Sequence, residues 1–385
     1  MARNEAMFEM TVELEAFRET VRKMAEEVLA SRALDLDEKG EFPRDLLPSL
    51  VSLGIIGATT AADVGGSAMG YVAGLIAAEE ISRVYPSLAF FLEGTQAPVH
   101  ALEHYGNDRQ RVRYLAPVIR GRKIVCLAAT EPTGGSDMAN LGTEAVRDGN
   151  AYRVRGRKVY ITNGGIADIC LLLVRTGNRA SMLAVEKKTA GFSIGRREIQ
   201  TGFRSVPISE LVFEDCRVPV GNLIGREGDG HAIALSSFIV SRPIIGAIGL
   251  GIAEGAFEIA LRFARERVLY GRPISRLQHI QFMLAEMETE IEKARWVVYY
   301  PGAALDRGLP PRRVGKWAAR AKAVGAETAL WVTQKAMQIL GGQGVNPQSH
   351  LPRLLNDALE LFPASGTVEV MKIIQATEIL RKARS

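Results

Sequence analysis

The hydrophobic pattern of this chain changes period twice, and that limits its fold more than any single motif does. From residue 8 to 35, apolar residues recur at helical spacing (Phe8, Val12, Leu14, Phe17, Val21, Met24, Val28), with acids and bases between them. "FPRDLLPSLVSLGI" predicts another helix, with Pro43 suited to its first turn and Gly54 to its C-terminal stop. "AGLIAAEEISRV" and "QRVRYLAPVIRG" continue the pattern. Around Cys126 the period falls to two. "TEAVRDGNAYRVRGRKVYIT" is a pair of alternating runs joined by Asp-Gly-Asn, a hairpin signal. "ICLLLVRT", "SMLAVEKK", "GFSIGRRE" and "SELVFEDCRV" follow as short strand-like runs between turn residues. From Glu227 long helical patterns return over 229–268, 275–305, 311–340 and 368–384.

The expectation is an α+β chain in three segments: a helical domain over 1–125, a β domain over 126–226 and a helical domain over 227–385. The spacing of the middle runs predicts a small antiparallel barrel or sandwich. A length of 385 residues accommodates two or three such domains. The composition, 47% hydrophobic and 24% charged, is that of an ordinary globular protein and excludes extensive disorder.

The net charge of +5 is mild, and its local clusters (Arg196–Arg197, Arg312–Arg313, Arg381–Arg384) have no aromatic residues interleaved. No nucleic-acid surface is expected; a small polyanionic ligand such as a nucleotide cofactor suits the excess charge better. The three cysteines, Cys126, Cys170 and Cys216, show no CxxC spacing, and their odd number leaves at least one unpaired, which argues against a disulfide framework and favours a reducing compartment; no metal site is expected. "MARNEAMFEM" has no apolar signal region, and the apolar run "PIIGAIGLGIAEGAFEIAL" is broken by Glu254 and Glu258 and preceded by Arg242. A buried helix rather than a membrane span is expected, in a cytoplasmic protein.

Three glycine-rich stretches invite a nucleotide. "GLGIAEG" (Gly249–Gly255) has no strand before it and lies inside a helical pattern, so it reads as close helix packing. "ILGGQGVN" (Ile339–Asn346) taken alone reads as a helix C-terminal turn. "ATEPTGGSD" (Ala129–Asp137) follows the apolar "IVCLAA" and places two glycines between hydroxyl residues. It is either a structural turn or a cradle whose backbone amides face an anion.

Its company carries more. "KVYITNGG" (Lys158–Gly165), "VPVGNLIGREGDG" (Val218–Gly230), "RERVLYGRPISRLQHIQFMLAEM" (Arg265–Met287), "AMQILGGQGV" and "LPRLLNDA…SGT" follow in order. The set resembles the acyl-CoA dehydrogenase family of flavoproteins over essentially the whole chain. The resemblance implies an N-terminal helical domain, a middle β domain and a C-terminal four-helix-bundle domain. It also implies FAD, held in homotetramers that share each cofactor between neighbours.

On that resemblance the loop motif spans Leu127 to Ser136 and includes Ala129. Thr130 would meet the flavin ring, and Ser136 the pyrophosphate region or the substrate. Tyr160, Ile161 and Thr162 would lie at the flavin, with the Thr162 hydroxyl near N5. Arg267, Tyr270 and Gln278 match positions that reach a neighbour's FAD. Gln338, Gly341 and Gly342 match the adenosine site, and Thr367 and Glu369 the C-terminal contacts. The implied substrate is an acyl-CoA or other acyl thioester, and the implied electron acceptor an electron-transferring flavoprotein or similar protein.

The departures from the family pattern concern the base. The usual glutamate stands immediately before "GT"; here that position is Ser365. A minority branch places the base where this chain has Ser241, in "FIVSRP". The aromatic before the usual glutamate is Ala364, and an acid often used against the pantetheine is Ile239, whereas Arg242 is retained. Ser241, Arg242, Ala364, Ser365 and Gly366 therefore form the expected substrate side, with volume freed beside the flavin for a cyclic, branched or short acyl group.

Glu93, in "AFFLEGTQAP", is the candidate proton acceptor, because the N-terminal lobe should line the acyl tail and Phe90, Phe91 and Leu92 would desolvate a carboxylate there. The other reading is a helix-end glutamate that faces solvent or caps a turn. His100 and His104 read as packed or surface histidines, Glu360 as an exposed helix residue, and Glu131 as a residue that holds its own loop. Three functions stay open: an acyl thioester dehydrogenase with a non-standard base, a flavin-dependent oxygenase or reductase on the same scaffold, and a non-catalytic subunit of a hetero-oligomer.

Overall fold

The computed structural model describes residues 10–138 and 140–382. The helical pattern that starts at Phe8 and the basic cluster that ends at Arg384 thus reach beyond the described residues. The first helices are α1 (Val12–Met24), α2 (Ala33–Lys39), α3 (Leu47–Ser52), α4 (Tyr71–Ser82), α5 (Pro86–Tyr105), α6 (Asp108–Gln110) and α7 (Ala116–Ile119). A π-turn, Ala25–Leu29, continues α1. Gly54 ends the segment after α3 with φ 71°, a left-handed conformation that glycine adopts without strain.

Eight strands form one sheet: β1 (Val125–Ala128), β2 (Glu144–Asp148), β3 (Ala151–Thr162), β4 (Ile169–Thr176), β5 (Arg179–Glu186), β6 (Phe192–Arg197), β7 (Ile208–Pro219) and β8 (Leu223–Ile224). β2 and β3 form the hairpin that Asp-Gly-Asn predicted, from Asp148 opposite Ala151 to Glu144 opposite Arg155. The expected antiparallel order is found in most pairs, but the sheet is mixed. β4 runs parallel to β1 and, at Glu144 opposite Arg175, to β2. The physical reason lies in the connection. β1 and β2 lie end to end along the same edge of β4, so the chain between them, 129–143, leaves the sheet and rejoins that edge without reversing direction. That excursion carries "ATEPTGGSD".

The remaining elements are α8 (Gly230–Glu266), a short hairpin of β9 (Val268–Leu269) and β10 (Arg272–Pro273), α9 (Gln278–Asp306), α10 (Pro311–Leu340), α11 (Leu351–Glu360) and α12 (Val368–Lys382). By length and composition α8 could cross a bilayer, but most of its apolar stretch is buried inside the protein. It is the central helix, packed on α4, α5, α9 and α10. "GLGIAEG" lies within it, and its glycines allow close approach. A Cβ on Gly249 would stand 2.3 Å from the Gly325 carbonyl oxygen of α10, and one on Gly255 2.2 Å from that of Arg83. These glycines pack helices.

Candidate active site

Glu93 lies in the middle of α5, not at its end, and is only 4% exposed. The reading of it as a solvent-facing or capping residue is therefore overturned. Gly94 explains why the helix can come so close to the sheet. A Cβ there would meet Thr162 Cγ2 at 2.7 Å and Asn163 Nδ2 at 3.0 Å. Asn163 completes the contact by donating from Nδ2 to the Phe91 carbonyl at 3.2 Å. One turn of α5 is thereby fixed against the end of β3.

Two other elements converge on the Glu93 carboxylate. The Ser365 hydroxyl, from the turn between α11 and α12, donates to Oε1. The Ser241 hydroxyl, on α8, donates to the Phe238 carbonyl at 3.4 Å and lies near enough to the carboxylate to help hold its pKa down. Burial pushes the Glu93 pKa up to about 7, against the downward pull of the two hydroxyls and the Lys322 charge. The result is a carboxyl poised to exchange a proton near neutrality.

The Ser365 turn is itself constrained. Ser365 has φ 50° and Gly366 φ 94°, left-handed values that a serine adopts only where its surroundings impose them. Arg242 Nε donates to the Ser365 carbonyl at 3.3 Å, and burial lowers the Arg242 pKa to about 10. Lys322 Nζ, from α10, donates to the Phe362 carbonyl at 2.7 Å. Volume was expected to be free beside Ala364 and Ser365; the Glu93 carboxylate stands against that serine.

The end of β3 lies against α5 at Gly94, and beside β3 runs the 129–143 excursion, whose Thr130 carbonyl accepts the Val159 amide at 3.0 Å. Glu131, 5% exposed, pairs with Lys158 Nζ at 2.7 Å and accepts the amides of Gly142 and Thr143 at 2.6 and 2.9 Å. Burial pushes its pKa up, but these partners outweigh that and hold it below the ordinary value. Glu131 therefore pins both ends of its loop. Leu127 and Ala129 lead into the loop, half-buried and buried, while Thr130 is half-buried and Ser136 exposed. A shift in the β3–β7 register between Lys158 and Ile161 coincides with Tyr160, which has φ 56° and is 63% exposed. The bulge turns Tyr160 outward, buries Ile161 and leaves Thr162 half-buried beside α5.

The other candidate cofactor residues lie elsewhere. Arg267 follows the last residue of α8, about 38 Å along the axis from Arg242 at 1.5 Å per residue. Arg267, Tyr270, Gln278, Gln338, Gly341 and Gly342 are all exposed, and a Cβ on either glycine would meet open space. Thr367 opens α12 by accepting the Val370 amide at 3.2 Å, and Glu369 is exposed in its first turn. Hydroxyls, backbone amides and an unfilled cradle at Gly134, where a Cβ would also meet open space, suit the uncharged ring and the phosphates of a flavin nucleotide. The residues present fit the cofactor.

Three consecutive family descriptions match this chain: "Acyl-CoA dehydrogenase, N-terminal domain" over 11–122, "middle domain" over 126–216 and "C-terminal domain" over 228–380. The chain belongs to the acyl-CoA dehydrogenase family. The short-chain-specific acyl-CoA dehydrogenase of Clostridium acetobutylicum is 36% identical over 97% of this chain and 100% of its own. The cyclohex-1-ene-1-carbonyl-CoA dehydrogenase of Geobacter metallireducens is 34% identical over the same shares. The solved butyryl-CoA dehydrogenase of Megasphaera elsdenii superposes with a TM-score of 0.94 at 31% identity, covering 97% of this chain and 100% of that one. As an acyl-CoA dehydrogenase family member the protein is a flavoprotein and an oxidoreductase of CH–CH donors.

The lesser candidates fall away from the centre. His100 is buried with a ring nitrogen 2.9 Å from Ser236 Oγ, and burial lowers its pKa to about 3. His104 is exposed. Glu360 is half-buried and accepts the Thr201 hydroxyl. Sequence reasoning missed Asn163 and Lys322. The second left a signal: a lone lysine in "AARAKAVGAETA", between Ala321 and Gly325, both closely approached by α8.

Proposed function

We propose that this protein is a FAD-dependent dehydrogenase of an acyl thioester, most simply a CoA ester, in which Glu93 is the proton acceptor. The observation that carries the reading is the convergence of both serines on one carboxylate. Ser365 and Ser241 occupy the two positions where family members keep a base; the Ser365 hydroxyl donates to Glu93, and Ser241 stands close enough to it to lower its pKa. The carboxylate has in effect been supplied from the facing helix. Thr130, Ser136 and Tyr160–Thr162 would hold a flavin, which would supply the two-electron acceptor for a hydride.

The balance is that of an α,β-type desaturation. Glu93 takes a proton from the carbon it faces, the C–H electron pair enters the new C=C bond, and a hydride leaves the other carbon with two electrons. Where the thioester carbonyl is already conjugated, the proton lost can be a vinylogous one, further from the carbonyl. An electron-transferring flavoprotein or similar protein would be the final electron acceptor. Arg242 and the Ser365–Gly366 turn shape the end of the site nearest the reacting carbons.

A small void lies on a different face of α5 from Glu93, lined by Leu92, Thr95 and Gln96 with Ile55, Ile56, Ala58, Gly74 and Ile244 opposite, and plays no part in this reading. The exposed set of Arg267, Tyr270, Gln278, Gln338, Gly341 and Gly342, remote from the centre of its own chain, supports a homotetramer in which neighbours complete each FAD site. The three free, buried cysteines support a cytoplasmic location.

Anaerobic mixing with a panel of acyl-CoAs tests the reading. Short, branched or cyclic esters should bleach the flavin, and Glu93→Gln should slow that reduction at least about 100-fold with FAD content and ligand binding intact. A slowing below about fivefold would reduce Glu93 to pocket lining.

A further inference from the structure

Lys322 is a buried cation that the reaction above does not use. It sits in the middle of α10, fully buried, among Ala318, Ala319, Ala321, Ala323 and Ala326. A buried ammonium is costly to desolvate, and a leucine or methionine would fill its place without that cost. Its Nζ donates to the Phe362 carbonyl at 2.7 Å, the first residue of the turn that carries Ser365.

The position of this lysine is rigidly set. A Cβ on Gly246 of α8 would stand 2.6 Å from the Ala321 carbonyl oxygen, so the backbones of α8 and α10 are nearly in contact beside Lys322. Gly246 lies one turn beyond Arg242. The two buried cations therefore bracket one turn: Lys322 holds its first carbonyl, at Phe362, and Arg242 the carbonyl of Ser365. The charged groups that act on Lys322 are Arg242, Glu369, Glu93 and Glu327, and burial together with Arg242 lowers its pKa to about 8. Around Glu93 the groups are Ser365, Ser241 and Lys322.

We propose that Lys322 is a positioning residue that holds the Phe362–Gly366 turn against Glu93 and favours the ionised, proton-accepting form of that carboxylate. This rests on the reading of Glu93 as the proton acceptor. A cation behind the turn steadies the Ser365 hydroxyl where it donates, and its field stabilises a negative charge on Glu93. When Glu93 becomes protonated the field no longer has a charge to stabilise, so the effect is on acidity and not on acyl binding.

Lys322→Met and Lys322→Gln in the FAD-loaded protein test this, the second keeping a hydrogen-bond donor but no charge. The readout is the infrared carboxylic-acid band that Glu93→Gln abolishes, followed from pH 5 to 9, with the pH profile of flavin reduction beside it. Both variants should move the Glu93 midpoint up by about one pH unit or more, with FAD content unchanged. If Lys322→Met does not fold, Lys322→Gln alone decides. An unchanged midpoint overturns the proposal, even where Glu93→Gln abolishes reduction. Conversely, normal reduction by Glu93→Gln would sink the proton-acceptor reading while the infrared midpoint still reports on Lys322.

Discussion

Glu93 and Glu131 are equally buried glutamates with opposite company. Glu131 has a lysine at 2.7 Å and two backbone amides, so it stays ionised against the pull of burial. Glu93 has hydroxyls and only a more distant cation, and burial prevails. Burial alone thus does not make a base. What separates a carboxylate held ionised from one that can exchange a proton near neutrality is whether its partners fully satisfy the charge or leave it negotiable.

The largest expected effect breaks that contrast on the structural side. Glu131→Gln leaves Lys158 charged and buried without its counter-ion, and should cost about 3–5 kcal/mol of stability. Thermal or denaturant unfolding checks it, and loss of flavin from a loosened 129–143 loop should accompany it. Glu93→Gln should instead be neutral at acid pH. A destabilisation by Glu93→Gln as large as that of Glu131→Gln would erase the distinction.

The next effect is smaller and has a definite sign. The Glu93 pKa rises from 4.5 to about 7 on folding, so the folded chain holds this proton more tightly than the unfolded chain does. Its contribution is fully present below pH 4.5 and is lost as pH rises toward 7, by about 3 kcal/mol. Wild-type stability should therefore fall relative to Glu93→Gln between pH 4.5 and 7, and the difference should level off above that. Parallel pH profiles of the two proteins would mean that Glu93 ionises as it does in water.

Much of this is legible in the sequence. The two changes of hydrophobic period located the helical and strand segments, and α10 begins and ends where its pattern predicted, at 311 and 340. The mixed sheet was not legible, because strand periodicity carries no direction and the 129–143 excursion looks like any loop. At the site, Glu93 could be named by elimination, but its surroundings could not be read. Its neighbours Ser241 and Ser365 lie 148 and 272 positions away, and only the packing of α5 on Gly94 and the left-handed Ser365 turn brings them together. Lys322 was hidden for the opposite reason: a lysine in a helix is normally a solvated residue, and its burial depends on glycine contacts between α8 and α10.

The smallest effects separate the two serines. Ser365 donates to Glu93 from a turn that two cations hold, whereas Ser241 donates to the Phe238 carbonyl and lies near the carboxylate. A hydrogen bond to a charged group is worth about 1.5–3 kcal/mol, which corresponds to a pH midpoint shift of one unit or more. Ser365→Ala should therefore raise the midpoint of flavin reduction by about one pH unit, and Ser241→Ala by roughly half of that or less, because its hydroxyl donates to Phe238. Both leave the carboxylate in place, so rates above the new midpoint should recover to near wild type. A fall in the high-pH limiting rate with no movement of the midpoint would mean that the serines touch the substrate and not the base. Equal shifts from the two would mean that the Ser241 hydroxyl is committed to Glu93 as fully as that of Ser365.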